Sequence, residues 1–282
     1  MAKYKLPKIE ELLEAGVHYG HQIRRWNPKM EPYIYSVKKN VHIIDLEKTE
    51  ELLKEACEYL YTCAKEGKQI VFVGTKKQAR ETVKIEAKRC GAHYVTERWI
   101  GGTITNFKVI KKNIDKLINL IRQKETGELE KYTKKERLLI DREIEKLQRN
   151  IGGIVNLKAT PDVLFVVDSK REKTAIREAK SAGVPVVALI DTNCDPSNIK
   201  YVIPGNDDAI KSVALVLKVV ADALEHGYKD FDTAKKEPVV VVADEVTPVP
   251  AQAEAVQVVV VEQPKEEKPA KKVLKKSLKK KE

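Results

Sequence analysis

Three runs of consecutive apolar, largely β-branched residues limit what this chain can fold into: Gln69-Ile70-Val71-Phe72-Val73, Val163-Leu164-Phe165-Val166-Val167 and Val184-Pro185-Val186-Val187-Ala188-Leu189-Ile190. A strand with one wet face alternates apolar and polar residues, whereas a strand apolar at successive positions has to be covered on both faces. That is the condition of a parallel sheet, whose crossover helices pack above and below it. Shorter runs at Val41-His42-Ile43-Ile44, Ala92-His93-Tyr94-Val95 and Tyr201-Val202-Ile203 add further expected strands. Amphipathic segments fill the gaps between residues 8 and 228. Residues 47–66 place Leu52, Leu53, Ala56, Tyr59, Leu60 and Cys63 on one stripe. Residues 76–89 stop at Gly91 and 172–182 at Gly183, where glycine can take a left-handed cap, and 207–224 close the series.

One stretch breaks this alternation. Phe107, Ile110, Ile114, Leu117 and Ile121 follow the three-four spacing of a heptad seam. Gly127 sits where a turn is needed, and Thr133-Lys134-Lys135-Glu136 spells a capping box opening a second helix with Ile140, Ile144, Leu147 and Ile151 on its stripe. Residues 104–151 are therefore expected to form a two-helix coiled-coil hairpin inserted into an α/β body built from 1–103 and 152–230. Arms of ~20 residues reach about 30 Å and bury a single seam, so the hairpin should protrude.

Charge location separates partners from mere solubility. The 282 residues include 53 Lys and Arg against 42 Asp and Glu, a formal charge of +11. Residues 108–150 hold thirteen bases against eight acids, and the last twenty residues nine against three, which accounts for the whole excess. From about residue 231 the composition shifts to Pro, Val, Glu and then Lys, with four-valine runs at 239–242 and 258–261, so 231–282 reads as a low-complexity, disordered, acidic-then-basic tail. A basic hairpin inserted into a compact body suits a grip on a polyanionic partner. The chain has no stretch of ~18 apolar residues that would span a bilayer. Its start, Met1-Ala2-Lys3-Tyr4-Lys5-Leu6-Pro7, lacks the apolar centre of a signal peptide, so we expect no membrane and a cytoplasmic location. Cys57, Cys63, Cys90 and Cys194 form no Cys-x-x-Cys pair and are read as reduced thiols.

Loops beyond the carboxyl ends of parallel strands are where an α/β enzyme would bind its ligand. The turn Gly74-Thr75-Lys76-Lys77 has one glycine, against the three of a dinucleotide fingerprint or the framing pair of a P-loop. Lys76 and Lys77 at a helix start still suit a phosphate, whether of a small ligand or of RNA. Asp45, Asp168 and Asp191 end strands, and with Lys170 they resemble the acidic pocket of receiver domains, but the acidic pair such domains place after the first strand is missing. Capping and turn formation are the expectation for these three aspartates. His18 with Asp191, Asp207 and Asp208 forms a candidate set for a divalent cation, with His21 an alternative to His18. No cofactor is required by this pattern. The five histidines form no catalytic set and no serine occupies a Gly-x-Ser-x-Gly elbow, so no enzyme is expected.

Two segments remain that are rich in groups able to hold an RNA backbone. Arg24-Arg25-Trp26-Asn27-Pro28-Lys29-Met30 mixes cations, an amide and an indole, and Glu97-Arg98-Trp99-Ile100-Gly101-Gly102-Thr103-Ile104-Thr105-Asn106 repeats the Arg-Trp pair before the hairpin. For each tryptophan, burial as a core anchor competes with base stacking.

At these residues a resemblance emerges. Gly16-Val17-His18-Tyr19-Gly20-His21, Arg25-Trp26-Asn27-Pro28-Lys29-Met30, Val41-His42-Ile43-Ile44-Asp45-Leu46, Phe72-Val73-Gly74-Thr75-Lys76, Arg98 through Asn106, Asp191-Thr192-Asn193-Cys194-Asp195-Pro196 and Ile203-Pro204-Gly205-Asn206-Asp207-Asp208-Ala209-Ile210 are together similar to the bacterial-type, universal S-two family of small-subunit ribosomal proteins. The resemblance spans about residues 3–228 and stops where the tail begins. It implies a flavodoxin-like, Rossmann-like three-layer parallel sheet with a coiled-coil insertion, a structural role on small-subunit rRNA without catalysis, and help in recruiting the OB-repeat ribosomal protein that delivers mRNA. Residue by residue, it points to Arg24, Arg25, Asn27, Lys29, Lys76, Lys77, Arg98, Thr103 and Asn106 as RNA contacts, with Lys108, Lys111 and Lys112 along the hairpin base. The alternative on the same fold is a phosphate-ligand enzyme or receiver-like regulator, since architecture alone does not choose between them.

Overall fold

The computed structural model describes residues 4–236; the tail beyond it, with its two valine runs, lies outside the described residues. Five strands, β4 (Ile70–Val73), β5 (His93–Val95), β6 (Val163–Val167), β7 (Val186–Ile190) and β8 (Tyr201–Pro204), form a parallel sheet in the order β5-β4-β6-β7-β8. Taken in chain order this is 2-1-3-4-5, the arrangement of doubly wound flavodoxin-like sheets. All residues of β4, β6 and β7 are buried, which is the double coverage their uninterrupted apolar sequences require.

The pleat divides the strand side chains between two cores. Phe72 and Phe165, with ring centroids 5.2 Å apart, face α2 (Leu46–Lys65), which follows the short first helix α1 (Ile9–Glu14), together with α3 (Arg80–Cys90) and α7 (Ile210–Lys236). Val71, Val73, Leu164, Val166, Ala188 and Ile190 face the other way, toward α6 (Lys173–Ala182) and the roots of α4 (Phe107–Glu125) and α5 (Lys134–Ile151). Helices α2 and α7 approach closely at Gly227, where an added Cβ would lie 2.6 Å from Ala64 Cβ and 2.7 Å from the Tyr61 carbonyl. The helix passes through this glycine and continues to Lys236, beyond the end expected at residue 224.

The run Val41-His42-Ile43-Ile44 corrects the expectation that it leads the parallel sheet. It is β3 (Val41–Ile44) of a separate antiparallel sheet ordered β1-β3-β2, with β1 at Tyr19–Gln22 and β2 at Ile34–Lys38. The cause is local. Lys39 and Asn40 both hold positive φ, 52° and 62°, in a two-residue turn that reverses the chain and pairs Lys38 with Val41. The flanking strands are short and half polar, so they carry little periodic signal.

Helices α4 and α5 pack against each other through Ile110, Ile114 and Leu117 on one side and Ile144 and Ile151 on the other. Thr133 and Glu136 form the capping box that their spacing spells. Lys116 pairs with Glu143, and Lys124 Nζ lies 2.7 Å from Asp141 Oδ1. Ile110, Ile114 and Ile151 belong to the same core as the sheet, so the root of the helix pair is part of the body.

Candidate nucleic-acid interface

Parallel strands place all their carboxyl ends along one edge, and the loops leaving that edge carry the candidate residues. The segment 24–30 docks there first. Asn27 donates its backbone N–H to the Thr192 carbonyl at 2.8 Å, just beyond β7, while its side chain accepts from Lys29 N at 3.1 Å and opens a 3₁₀ turn. Lys29 Nζ reaches Asp195 at 3.1 Å and Ser197 Oγ at 2.8 Å, and Met30 is fully buried beneath. The Asp195 carboxyl is held down to about 2, first by the Ser197 backbone and side chain and then by Lys29. Arg24 and Arg25 stay exposed and, among the described residues, have no side-chain partner. Trp26 lies over His42, with ring centroids 5.1 Å apart.

The second loop hangs on a residue that the sequence did not single out. Glu178, on α6, accepts from Trp99 Nε1 at 3.1 Å, Gly102 N at 2.9 Å, Ile104 N at 3.1 Å and Thr105 N at 3.4 Å. Burial works against its ionisation, but the amides of Gly102 and Ile104 and the Trp99 indole prevail and hold its carboxyl below the usual range. Trp99 is thereby a core anchor and points inward. Arg98 and Asn106 are exposed, as are Lys108, Lys111 and Lys112 on the first turns of α4. Thr103, expected beside them, is buried and donates its hydroxyl to the Ile100 carbonyl at 2.6 Å. Glu178 left no trace in sequence because a carboxylate on a helix face is ordinary until its tertiary partners are known.

The turn after β4 is closed by the protein itself. Glu172, nearly fully buried, accepts from Thr75 N at 3.1 Å and from the Thr75 hydroxyl, so an internal carboxylate takes the donors that a phosphate would have used. Helix α3 starts only at Arg80, four residues after the expected start. Lys76 is turned toward the protein's own acids. Its ammonium lies 2.7 Å from Asp207, 2.6 Å from Asp208 and 3.9 Å from Asp168, and its side chain is 11% exposed. Lys77 remains at the surface.

Around Lys76 the acids converge. His21, not His18, joins Asp191, Asp207 and Asp208: its Nδ1 is 2.8 Å from Asp191 and its Nε2 3.3 Å from Asp208. His18 instead packs on Tyr19, its ring nitrogen Nδ1 buried without a partner among the described residues. The Thr192 hydroxyl accepts from His21 N and donates to Asp191, and an added Cβ on Gly20 would lie 2.7 Å from Thr192 Cγ2, so this junction needs glycine. Desolvation, then the nearby charges of Asp191 and Asp168, push the Asp207 carboxyl up to about 7 despite Lys76. The hydrogen bond to Asp191 raises the His21 pKa against its burial. Asp45 caps α2, and Asp168 accepts from Lys170 N and Arg171 N in a turn, as expected of both. All four cysteines are buried free thiols. No described helix is long and apolar enough to cross a membrane.

These features define a doubly wound α/β protein whose sheet edge bears exposed cations on loops fixed to the body by the Thr192 backbone and by the partly buried Glu178 carboxylate. Comparison with known proteins adds the lineage. Residues 12–227 match the family described as Ribosomal protein S2. The chain is 51% identical over 219 residues to "Small ribosomal subunit protein uS2" of Geotalea uraniireducens (strain Rf4), covering 78% of this chain and 86% of the relative. It is 49% identical over 224 residues to "Small ribosomal subunit protein uS2c" of Guillardia theta, covering 79% and 95%. The chain belongs to the ribosomal protein S2 family. It is accordingly a structural ribosomal protein and not an enzyme.

Proposed function

We propose that this protein is a constituent of the small ribosomal subunit in the cytoplasm, where it binds small-subunit rRNA through the loops at the carboxyl edge of its sheet. The observation that carries the reading is that Arg24, Arg25 and Arg98 stand exposed on two loops whose backbones are fixed to the body by Thr192 and Glu178. Fixed loops present cations without the ordering cost that a mobile loop would incur on binding. Asn27, Lys29, Lys77, Asn106, Lys108, Lys111 and Lys112 extend the same basic strip. The helix pair continues it as a coiled coil that grips rRNA or a neighbouring subunit protein, and, as the family resemblance implies, the protein supports docking of the OB-repeat ribosomal protein that brings mRNA. Sedimentation of tagged protein through sucrose gradients at low and high salt tests the reading. Co-migration with small subunits that weakens with salt is expected; a peak at the top of both gradients would sink it.

A divalent cation of borderline hardness at His21, Asp191, Asp207 and Asp208 forms a second part of the proposal. One imidazole and three carboxylates fit such an ion, and the buried Asp207 Oδ2 has no donor among the described residues. Titration with Zn²⁺ should raise the melting temperature of the wild-type protein and leave that of D207N unmoved; equal shifts in both would reject the site.

A further inference from the structure

With Lys76 turned inward, the carboxyl edge offers positive charge elsewhere. A cavity of about 330 Å³ opens beyond β6 and β7, and Lys170, Lys173 and Arg177 line it together with Asn27, Asn193 and Asn198. All three cations are exposed and, among the described residues, none has a side-chain hydrogen bond or ion pair. Lys173 and Arg177 stand at i and i+4 on α6, where like charges repel and weaken a helix. The fold gains nothing from that pairing. Asp195 is the carboxylate among the lining residues, and Lys29 already neutralises it at 3.1 Å. The cavity is thus a concave site with three uncommitted cations and three amides, and Asn27 connects it to the first basic loop.

We infer that this cavity is a phosphate-binding site that seats a phosphodiester of small-subunit rRNA, with Lys170, Lys173 and Arg177 supplying charge and the asparagines fixing orientation. Polyanion recognition divides in this way, cations giving affinity and neutral donors giving position. The inference rests on the ribosomal reading above and adds residues that the motif-bearing loops did not include. A free phosphate would use the same chemistry, so the experiment has to separate the two sources.

The test compares the full chain with the triple variant K170E/K173E/R177E in binding to small subunits stripped of this protein, from 0.05 to 0.3 M salt. Circular dichroism and thermal melting establish that the variant is folded. The expected result is affinity weaker by on the order of 100-fold near 0.15 M salt, with the log–log salt slope reduced by roughly 2 to 3. A control triple reversal on the opposite layer, K54E/K211E/K218E, should leave the slope as it was. Wild-type slope and affinity in the K170E/K173E/R177E protein would overturn the inference. Calorimetric binding of inorganic phosphate that the triple variant loses, with subunit binding intact, would also overturn it, in favour of a small anion. Failure of the wild-type chain itself to bind subunits would instead strike the ribosomal reading.

Discussion

Trp99 donates its indole N–H to Glu178 at 3.1 Å, a contact between the loop entering α4 and the middle of α6. Because Glu178 also accepts from the amides of Gly102 and Ile104, one carboxylate sets the path by which the chain leaves the sheet for the helix pair.

Replacing that carboxylate is expected to loosen the loop. In E178Q an amide NH₂ faces backbone donors that the carboxylate satisfied, at a cost of about 2 kcal/mol at neutral pH. The sign with pH follows from the direction of the shift. A carboxyl held below its ordinary value contributes stability above its unfolded pKa, roughly 4.3, and loses that contribution as pH falls through its folded value. Urea unfolding at pH 7 and at pH 3 should show the wild-type advantage over E178Q shrinking at the lower pH. An advantage that is constant across that range would contradict the assignment.

Lys76 is expected to behave as a structural cation. K76M leaves Asp207 and Asp208 without their counter-charge, and we expect a loss of roughly 2 to 3 kcal/mol, below the usual cost of breaking a buried pair because Asp207 can take up a proton. The salt slope of subunit binding should stay at the wild-type value, in contrast to R24A/R25A, whose slope should fall by roughly 1 to 2. A reduced slope in K76M would return Lys76 to the RNA contacts.

Gly153 marks where the chain leaves α5 for the sheet. An added Cβ would meet the Tyr94 carbonyl oxygen at 2.1 Å and the Tyr94 ring at 2.6 Å. Backbone cannot yield as a flexible side chain does, so G153A is expected to cost about 1 to 3 kcal/mol. Thermal melting of G153A beside G152A, whose added Cβ would find its nearest neighbour at 3.5 Å, measures the difference. Equal melting temperatures would show that the junction relaxes freely.

The helix pair separates into a root and a tip. Removing all of it would strip Ile110, Ile114 and Ile151 from the core they share with the sheet, so the informative deletion replaces only residues 118–140 with a short Gly/Ser turn. The shortened chain should melt close to wild type and enter small subunits poorly. Normal incorporation would refute a gripping role for the tip.

Much of this architecture was legible because it follows from local chemistry. Uninterrupted apolar runs at 70–73, 163–167 and 186–190 demand two covered faces, and the capping box at Thr133 announces the second long helix. The antiparallel sheet was harder to read, since its pairing depends on two left-handed residues, Lys39 and Asn40, and on strands with little periodicity.

Sequence alone determined the strands of the parallel sheet, most of its long helices, the basic balance and the family, because those depend on residue type and spacing. Tertiary structure decided which charges are free. Lys76 and Lys77 are neighbours of the same type, yet one meets Asp207 and Asp208, far along the chain, and the other faces water. Whether a cation is spent inside the protein or left for a partner depends on carboxylates brought to it through space, and that distance is set only when the sheet assembles.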